Sequence, residues 1–197
     1  MRKVTIPVYE FSELSNAAKE VAIDNHRSQL QEWDNPFDDF DEGLDYGERG
    51  FSKIETRISL HSQGSGVSFD SVVDLSKFVP DRVKNNPSLL RLVKSYVTAT
   101  TRANRSNAYS FPAESDVEMS DEIEYHRKLP RIWDFLETML LNIQREYMEL
   151  CKELEKKAYE EEEWFFGDEK IEGDIEANEH EFLANGERFE LEHLVED

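Results

Sequence analysis

A single cysteine, Cys151, leaves this chain with no possible internal disulfide. No apolar run approaches the roughly 18 residues of a membrane-spanning helix, and no basic-then-apolar leader opens the chain, so a soluble cytoplasmic protein with no membrane partner is expected. Bases are scarce: 23 Lys and Arg stand against 44 Asp and Glu, for a net charge of −21. Such a surface repels DNA, RNA and anionic lipid, which argues against a direct nucleic-acid binder. Catalytic signatures are missing too. There is no Gly-x-Ser-x-Gly, because Gly64-Ser65-Gly66 is too short and Gly66-Val67-Ser68 lacks the second glycine. His61 adjoins Ser62, but neighbours on a strand point to opposite faces. No His-Glu-x-x-His and no calcium-loop pattern occurs, and Glu122 with His126 is the nearest metal-like pair. The glycines at 64 and 66 lead into a strand rather than a lysine-bearing helix N-terminus, so they do not make a phosphate loop. No enzyme, metal or cofactor is expected.

What is present is a folded chain. Of its 197 residues 38% are apolar and 11% aromatic, too many for a solvated acidic tail, and residues 1–197 are read as one α+β domain. The charge is polarised along it. Residues 32–48 hold eight acids and no bases, residues 75–110 seven bases and one acid, and residues 153–197 eighteen acids and four bases. The basic island is Lys77, Arg82, Lys84, Arg91, Lys94, Arg102 and Arg105. It is expected either to pair with the acidic arms inside the fold or to bind a small anion or partner.

The alternation of apolar residues over Ile58–Phe69 about Gly64-Ser65-Gly66 predicts a β-hairpin, with Ile58, Leu60, Val67 and Phe69 in the sheet. A first strand is expected over Val4–Phe11, with Pro7 at an edge or bulge. A helix capped by Ser12 or Ser15 should run to about Gln31 on the stripe Leu14, Ala17, Ala18, Val21, Ala22 and Leu30, flanked by Ile23. Trp33, Phe37, Phe40 and Leu44 share one helical face and predict an acidic surface helix, a recognition helix being the alternative. A further helix is expected from Leu89 to about Thr101, opened by Asn86-Pro87-Ser88, and short strands at Asn107–Phe111 and Val117–Met119. Together these predict a small, mainly antiparallel sheet packed with several helices. The longest element starts near Pro130: Phe135, Leu136, Met139, Leu140, Ile143, Tyr147, Leu150, Leu154 and Ala158 hold a 3.6-residue period over about 30 residues, or on the order of 45 Å. That amphipathic helix is placed at about 131–160 (131–163 with its acidic end), and 164–197 is an acidic C-terminal arm with a last helix at Ile175–Leu183 stopping at Asn185-Gly186. Phe189, Leu191 and Leu194 are expected to dock a final strand or turn.

Three motifs in order, the run Phe11-Ser-Glu-Leu-Ser-Asn-Ala-Ala-Lys-Glu-Val-Ala-Ile23, Ser62-Gln-Gly-Ser-Gly-Val-Ser-Phe69, and Ile175-Glu-Ala-Asn-Glu-His-Glu-Phe182 followed by Asn185-Gly186, resemble a family of small acidic, mostly uncharacterised proteins of bacteriophages and prophages. The match spans most of the chain. The family's central motif usually reads Ser-Gln-Gly-Asp-Gly-Ala-Ser-Phe, so Ser65 and Val67 depart from it. The resemblance implies a phage origin, the host cytoplasm and an α+β layout more securely than any activity.

Charge and resemblance together lead to an expected function: a phage-encoded, non-enzymatic acidic inhibitor, anti-defence and DNA-mimic-like, that binds a basic nucleic-acid-handling surface of a host or defence protein. Carboxylates one helical turn apart, roughly 5–6 Å, approximate the spacing of backbone phosphates. The expected contacts are Glu146, Glu149, Glu153, Glu160, Glu161, Glu162 and Glu163 on the long helix, and Glu172, Asp174, Glu176 and Glu179 beyond it. The alternatives are an antitoxin-like neutralising partner, or a binder or enzyme for a nucleotide-like anion that uses His61, Ser62, Gln63 and Ser65 with the basic island. The long helix also offers a route to a dimer.

Overall fold

The structure, a computed structural model, describes residues 5–60, 66–102, 114–119 and 129–190. In chain order the elements begin with β1 (Tyr9–Glu10), a 3-10 turn (Phe11–Glu13), α1 (Asn16–Trp33), a second 3-10 turn (Gly47–Arg49), β2 (Phe51–Ser59) and β3 (Gly66–Val73). There follow α2 (Leu75–Phe78), α3 (Asp81–Lys84), α4 (Pro87–Tyr96), β4 (Val97–Arg102), β5 (Glu114–Met119), α5 (Leu129–Phe165), α6 (Asp168–Ala177) and β6 (Glu181–Phe182). This is an α+β fold. It divides into two compact units, one of Met1–Pro36 with Glu160–Asp197 and one of Phe37–Tyr159, and the boundary falls inside α5.

The Phe37–Tyr159 unit is built on an antiparallel sheet in the order β2-β3-β4-β5. The expected hairpin forms between β2 and β3, with Ile58 opposite Val67 and Thr56 opposite Phe69, and Leu60 lies just past the end of β2. The register slips between Ser52 and Glu55, where Lys53 takes a φ of +53°, a bulge that bends the edge strand. The sheet is covered by α5, whose Phe135, Met139, Ile143, Tyr147, Leu150, Leu154 and Ala158 are buried on one stripe, as their spacing predicts. Phe51 lies edge-on to Phe69 and Phe78, with ring centroids 5.7 and 5.6 Å away. Burying each such ring stabilises the unit by about 1.5–3 kcal/mol. Gly50 makes this possible: its φ is +95°, and a Cβ there would stand 2.6 Å from the Phe78 ring.

The other unit joins the two ends of the chain. β1 pairs with β6, Tyr9 opposite Phe182 and Glu10 opposite Glu181. α1 packs on α6 through a core of Phe11, Leu14, Ala18, Ala22, Ile23, Ile171, Ile175 and Phe182. The alanines let the two helices approach closely. Ser15 caps α1 by accepting from the Ala18 amide at 3.3 Å, as the serine at that position predicts.

Several local expectations change. The first strand is only Tyr9–Glu10, because Pro7 cannot donate to a ladder and the reciprocal bonds between Glu10 and Glu13 turn the chain at once. On α1 Ile23 is buried with Ala18 and Ala22, whereas Ala17 is exposed and Val21 is 40% exposed. Trp33–Leu44 is not a surface helix. Trp33 ends α1 at 80% exposure, and residues 36–43 form turns held by bonds such as Glu42 N–H to Asp39 C=O, 2.9 Å. Asp side chains compete with helical bonding, and Asp41 instead accepts from the Thr56 amide at 3.0 Å. Phe37, Phe40 and Leu44 still pack on the core. α4 stops at Tyr96 rather than running to Thr101, since β-branched Val97, Thr98, Thr100 and Thr101 gain more as strand β4, paired with β5 from Val97↔Met119 to Arg102↔Glu114. Val117–Met119 lies within β5 as expected, and Asn107–Phe111 lies outside the described residues. The last helix is α6, displaced from Ile175–Leu183 to Asp168–Ala177: Gly167 ends α5 and frees a new N-terminus that Asp168 and Glu169 complement, and Glu179, at φ +51°, turns the chain into β6. Phe189 docks through its amide on the Glu181 carbonyl, 2.8 Å, while Leu191 and Leu194 lie outside the described residues.

Candidate functional site

The two units differ in charge. Counted on the sequence, Phe37–Tyr159 holds 22 acids and 17 bases, while Met1–Pro36 with Glu160–Asp197 holds 22 acids and six bases, so the smaller unit carries −16 of the −21. The eleven expected contact residues fall on both sides of that division.

Glu146, Glu149 and Glu153 stand one turn apart on α5 and are gathered by one cation, Arg49, in the turn before β2. Its guanidinium is paired with Glu146, reaches Glu153 at 2.7 Å and lies 3.8 Å from Glu149. Burial works against the guanidinium charge, but the hydrogen bonds to Glu153 and Glu146 outweigh it and hold Arg49 above the ordinary arginine range. These three carboxylates are therefore scaffold as much as surface. Arg49 went unnoticed in the sequence because nothing local links it to residues about a hundred positions later; the only signal was the shared face of 146, 149 and 153.

In the other unit Asp174 is half-buried and held by Lys170 at 2.5 Å, and Lys170 also lies 5.6 Å from the Trp164 ring centroid. Arg27 on α1 fastens the start of α6: it bonds the Phe166 carbonyl at 3.1 Å and pairs with Asp168 and with Asp24. Glu163, Glu172, Glu176 and Glu179 are exposed, Glu161 and Glu162 half-buried, and among the described residues none of these six has a Lys or Arg partner within 4 Å. Glu160, also exposed, does have an interaction. A cleft of about 470 Å³ opens between the 3-10 turn at Phe11 and the end of α6, lined by Glu10, Ser12, Glu176, Glu179, His180 and Glu181 above buried Phe11 and Ile175.

His61, Ser62, Gln63 and Ser65 lie outside the described residues, although the strands they join are in place. So does Arg105, and the Arg102 side chain is likewise not described. Lys77, Arg82, Lys84, Arg91 and Lys94 are exposed on α2, α3 and α4, and among the described residues their one ion pair is Lys84 with Asp81 at 4.0 Å, within the same helix. Within their own unit, and among the described residues, the pairing of this island with acids goes no further than that contact. Asp74, capping α2, is held below the usual carboxylate range chiefly by its Ser76 hydrogen bond, with Lys94 and Lys77 assisting.

Cys151 is buried against Tyr147, and burial pushes its thiol up to about 12, leaving no thiolate for nucleophilic work at neutral pH. Among the described residues no three His, Cys, Asp or Glu side chains are grouped so as to hold a metal ion, and no helix is long and apolar enough to cross a membrane. No protein-family model, curated protein or solved structure matches the chain.

Proposed function

We propose that this protein is a non-enzymatic acidic inhibitor, phage-encoded and acting in the host cytoplasm, which occupies a basic nucleic-acid-handling surface on a host or defence protein. The observation that carries the reading is the separation of charge: −16 resides in the smaller unit, and Glu163, Glu172, Glu176 and Glu179 are exposed there with no Lys or Arg partner among the described residues. A chain that needed acid only for solubility has no reason to leave the larger unit near balance and concentrate the excess on 74 residues. Charges so placed steer a basic partner and raise its association rate, and they are screened over about 8 Å at physiological ionic strength. The motif resemblance to phage proteins supplies the biological setting. Glu146, Glu149 and Glu153, already held by Arg49, are secondary to this surface.

The test compares the wild-type chain with the quadruple reversal E163K/E172K/E176K/E179K in capture from an infected-host lysate at about 50 and 500 mM salt. A basic protein captured by wild type at low salt, released at high salt and absent with the reversed chain is the expected result. Capture indifferent to both salt and reversal would sink the reading, provided the reversed chain melts within a few degrees of wild type.

A further inference from the structure

The smaller unit contains a feature unrelated to its carboxylates. His26, on the inner side of α1, and His180, just past the end of α6, lie ring to ring: their centroids are 5.7 Å apart and the planes are inclined at 56°. Both are half-buried, and they sit where α1, α6 and the turn into β6 meet, beside the Ile171–Ile175 core. From α6 the charged groups acting on His26 are Asp174 and Lys170, the two already neutralising each other at 2.5 Å. Arg188, in the segment bridged to Phe182, acts on both rings, and Asp34, just past the end of α1, acts on His26. His180 also lines the cleft that holds the carboxylates Glu10, Glu176, Glu179 and Glu181, yet burial, Arg188 and His26 prevail and hold it low.

We propose that His26 and His180 form an acid-sensitive latch, holding α1 against the α6–β6 segment while both imidazoles are neutral and loosening that seam when they bind protons. Two imidazolium rings at this separation repel each other, and Arg188 repels both. Desolvation is the largest influence on each ring and disfavours its charged form, and both are held below the ordinary histidine value of 6.5. The sign follows. A base whose folded value is depressed is protonated first in the unfolded chain, so its contribution to stability is complete above 6.5 and is lost as pH falls from there. The unpaired surface carboxylates act the other way, since in a protein of −21 protonating them relieves repulsion, and the paired Asp168 and Asp174 are carboxylates whose ordinary range lies below pH 5. Acid loosening between pH 7.5 and 5 is therefore a signature of the histidines. The inference does not rest on the inhibitor reading, since it concerns the free protein.

Its test is a titration of the full chain by NMR, following the imidazole carbons, with H26Q and H180Q used both for assignment and as perturbations. Both rings should titrate below 6.5, and H26Q should raise the titration of His180 by removing its charged neighbour. Relative to the intrinsic base-catalysed rate, which itself slows as pH falls, amide exchange should quicken in α1 and α6 from pH 7.5 to 5, by up to about tenfold per pH unit for each histidine, with protection in β2 and β3 unchanged. H26Q/H180Q should abolish that acceleration while retaining every carboxylate. Imidazoles titrating at or above 6.5, a His180 unmoved by H26Q, or equal acid acceleration in the double variant would each overturn the latch. The wild-type and single-variant titrations decide the matter even if the double variant does not fold.

Discussion

The Tyr147 hydroxyl, projecting from the middle of α5, donates to the Phe69 carbonyl at 3.0 Å and accepts from the Phe69 amide at 3.1 Å, so one side chain serves both backbone groups of a residue in the central hairpin. The rings of the two residues lie 4.5 Å apart, and both residues are fully buried. Helix and sheet are thereby keyed to one register, not merely pressed together.

Y147F keeps the ring but removes that bond. The Phe69 carbonyl retains the Thr101 hydroxyl at 3.2 Å, whereas its amide is left buried and unpaired. Such an orphan costs about 1–3 kcal/mol. The urea midpoint should fall accordingly with an unchanged slope, and Y147A should fall further, by about 3–5 kcal/mol in all. A Y147F midpoint equal to wild type would mean that the hydroxyl does not pair with Phe69.

Cys151 should resist iodoacetamide in the native protein. With its thiol pushed up to about 12, only about one molecule in ten thousand is thiolate at pH 8, and that fraction is shielded. Alkylation should go to completion in urea. The same shift has a stability consequence: the folded state keeps its proton while the unfolded thiol gives it up, so stability present below 9.0 declines as pH rises toward about 12. C151A should flatten that alkaline decline, and rapid native alkylation at pH 8 would contradict both statements.

Arg49 tests how far the α5 carboxylates are structural. R49Q releases Glu146, Glu149 and Glu153 to repel one another, and should lower stability by about 0.5–1 kcal/mol at low salt. The deficit should shrink toward zero near 1 M salt, where charges are screened over about 3 Å. A loss independent of salt would point to lost packing of the arginine stem rather than lost charge.

Gly186 lies at φ +89°, and a Cβ placed on it would come within 2.1 Å of the Ala18 carbonyl oxygen. G186A should cost about 1–3 kcal/mol in backbone strain alone, and more because α1 must move. Amide exchange should rise in α1 and α6 first. A fully wild-type exchange pattern would show that the turn does not approach α1 so closely.

Periodicity sufficed for α5, because a 3.6-residue stripe sustained from Phe135 to Ala158 has one plausible burial, and for the hairpin, because alternation about glycines sets which faces are apolar. Capping chemistry narrowed the start of α1 to Ser12 or Ser15, and the structure chose Ser15. Net charge and its uneven placement along the chain were likewise plain from composition. Local patterns failed where two structures compete for the same residues. Phe37, Phe40 and Leu44 meet the core from turns because the aspartates between them bond to backbone, and Val97–Thr101 leaves its helix because a partner strand is waiting. What only the tertiary structure decided is which distant residues meet: Arg49 with three glutamates of α5, Tyr147 with Phe69, His26 with His180, Gly186 with Ala18. Each pairing joins residues far apart in sequence, whose closure cost is met collectively by the buried core, so no local pattern encodes it.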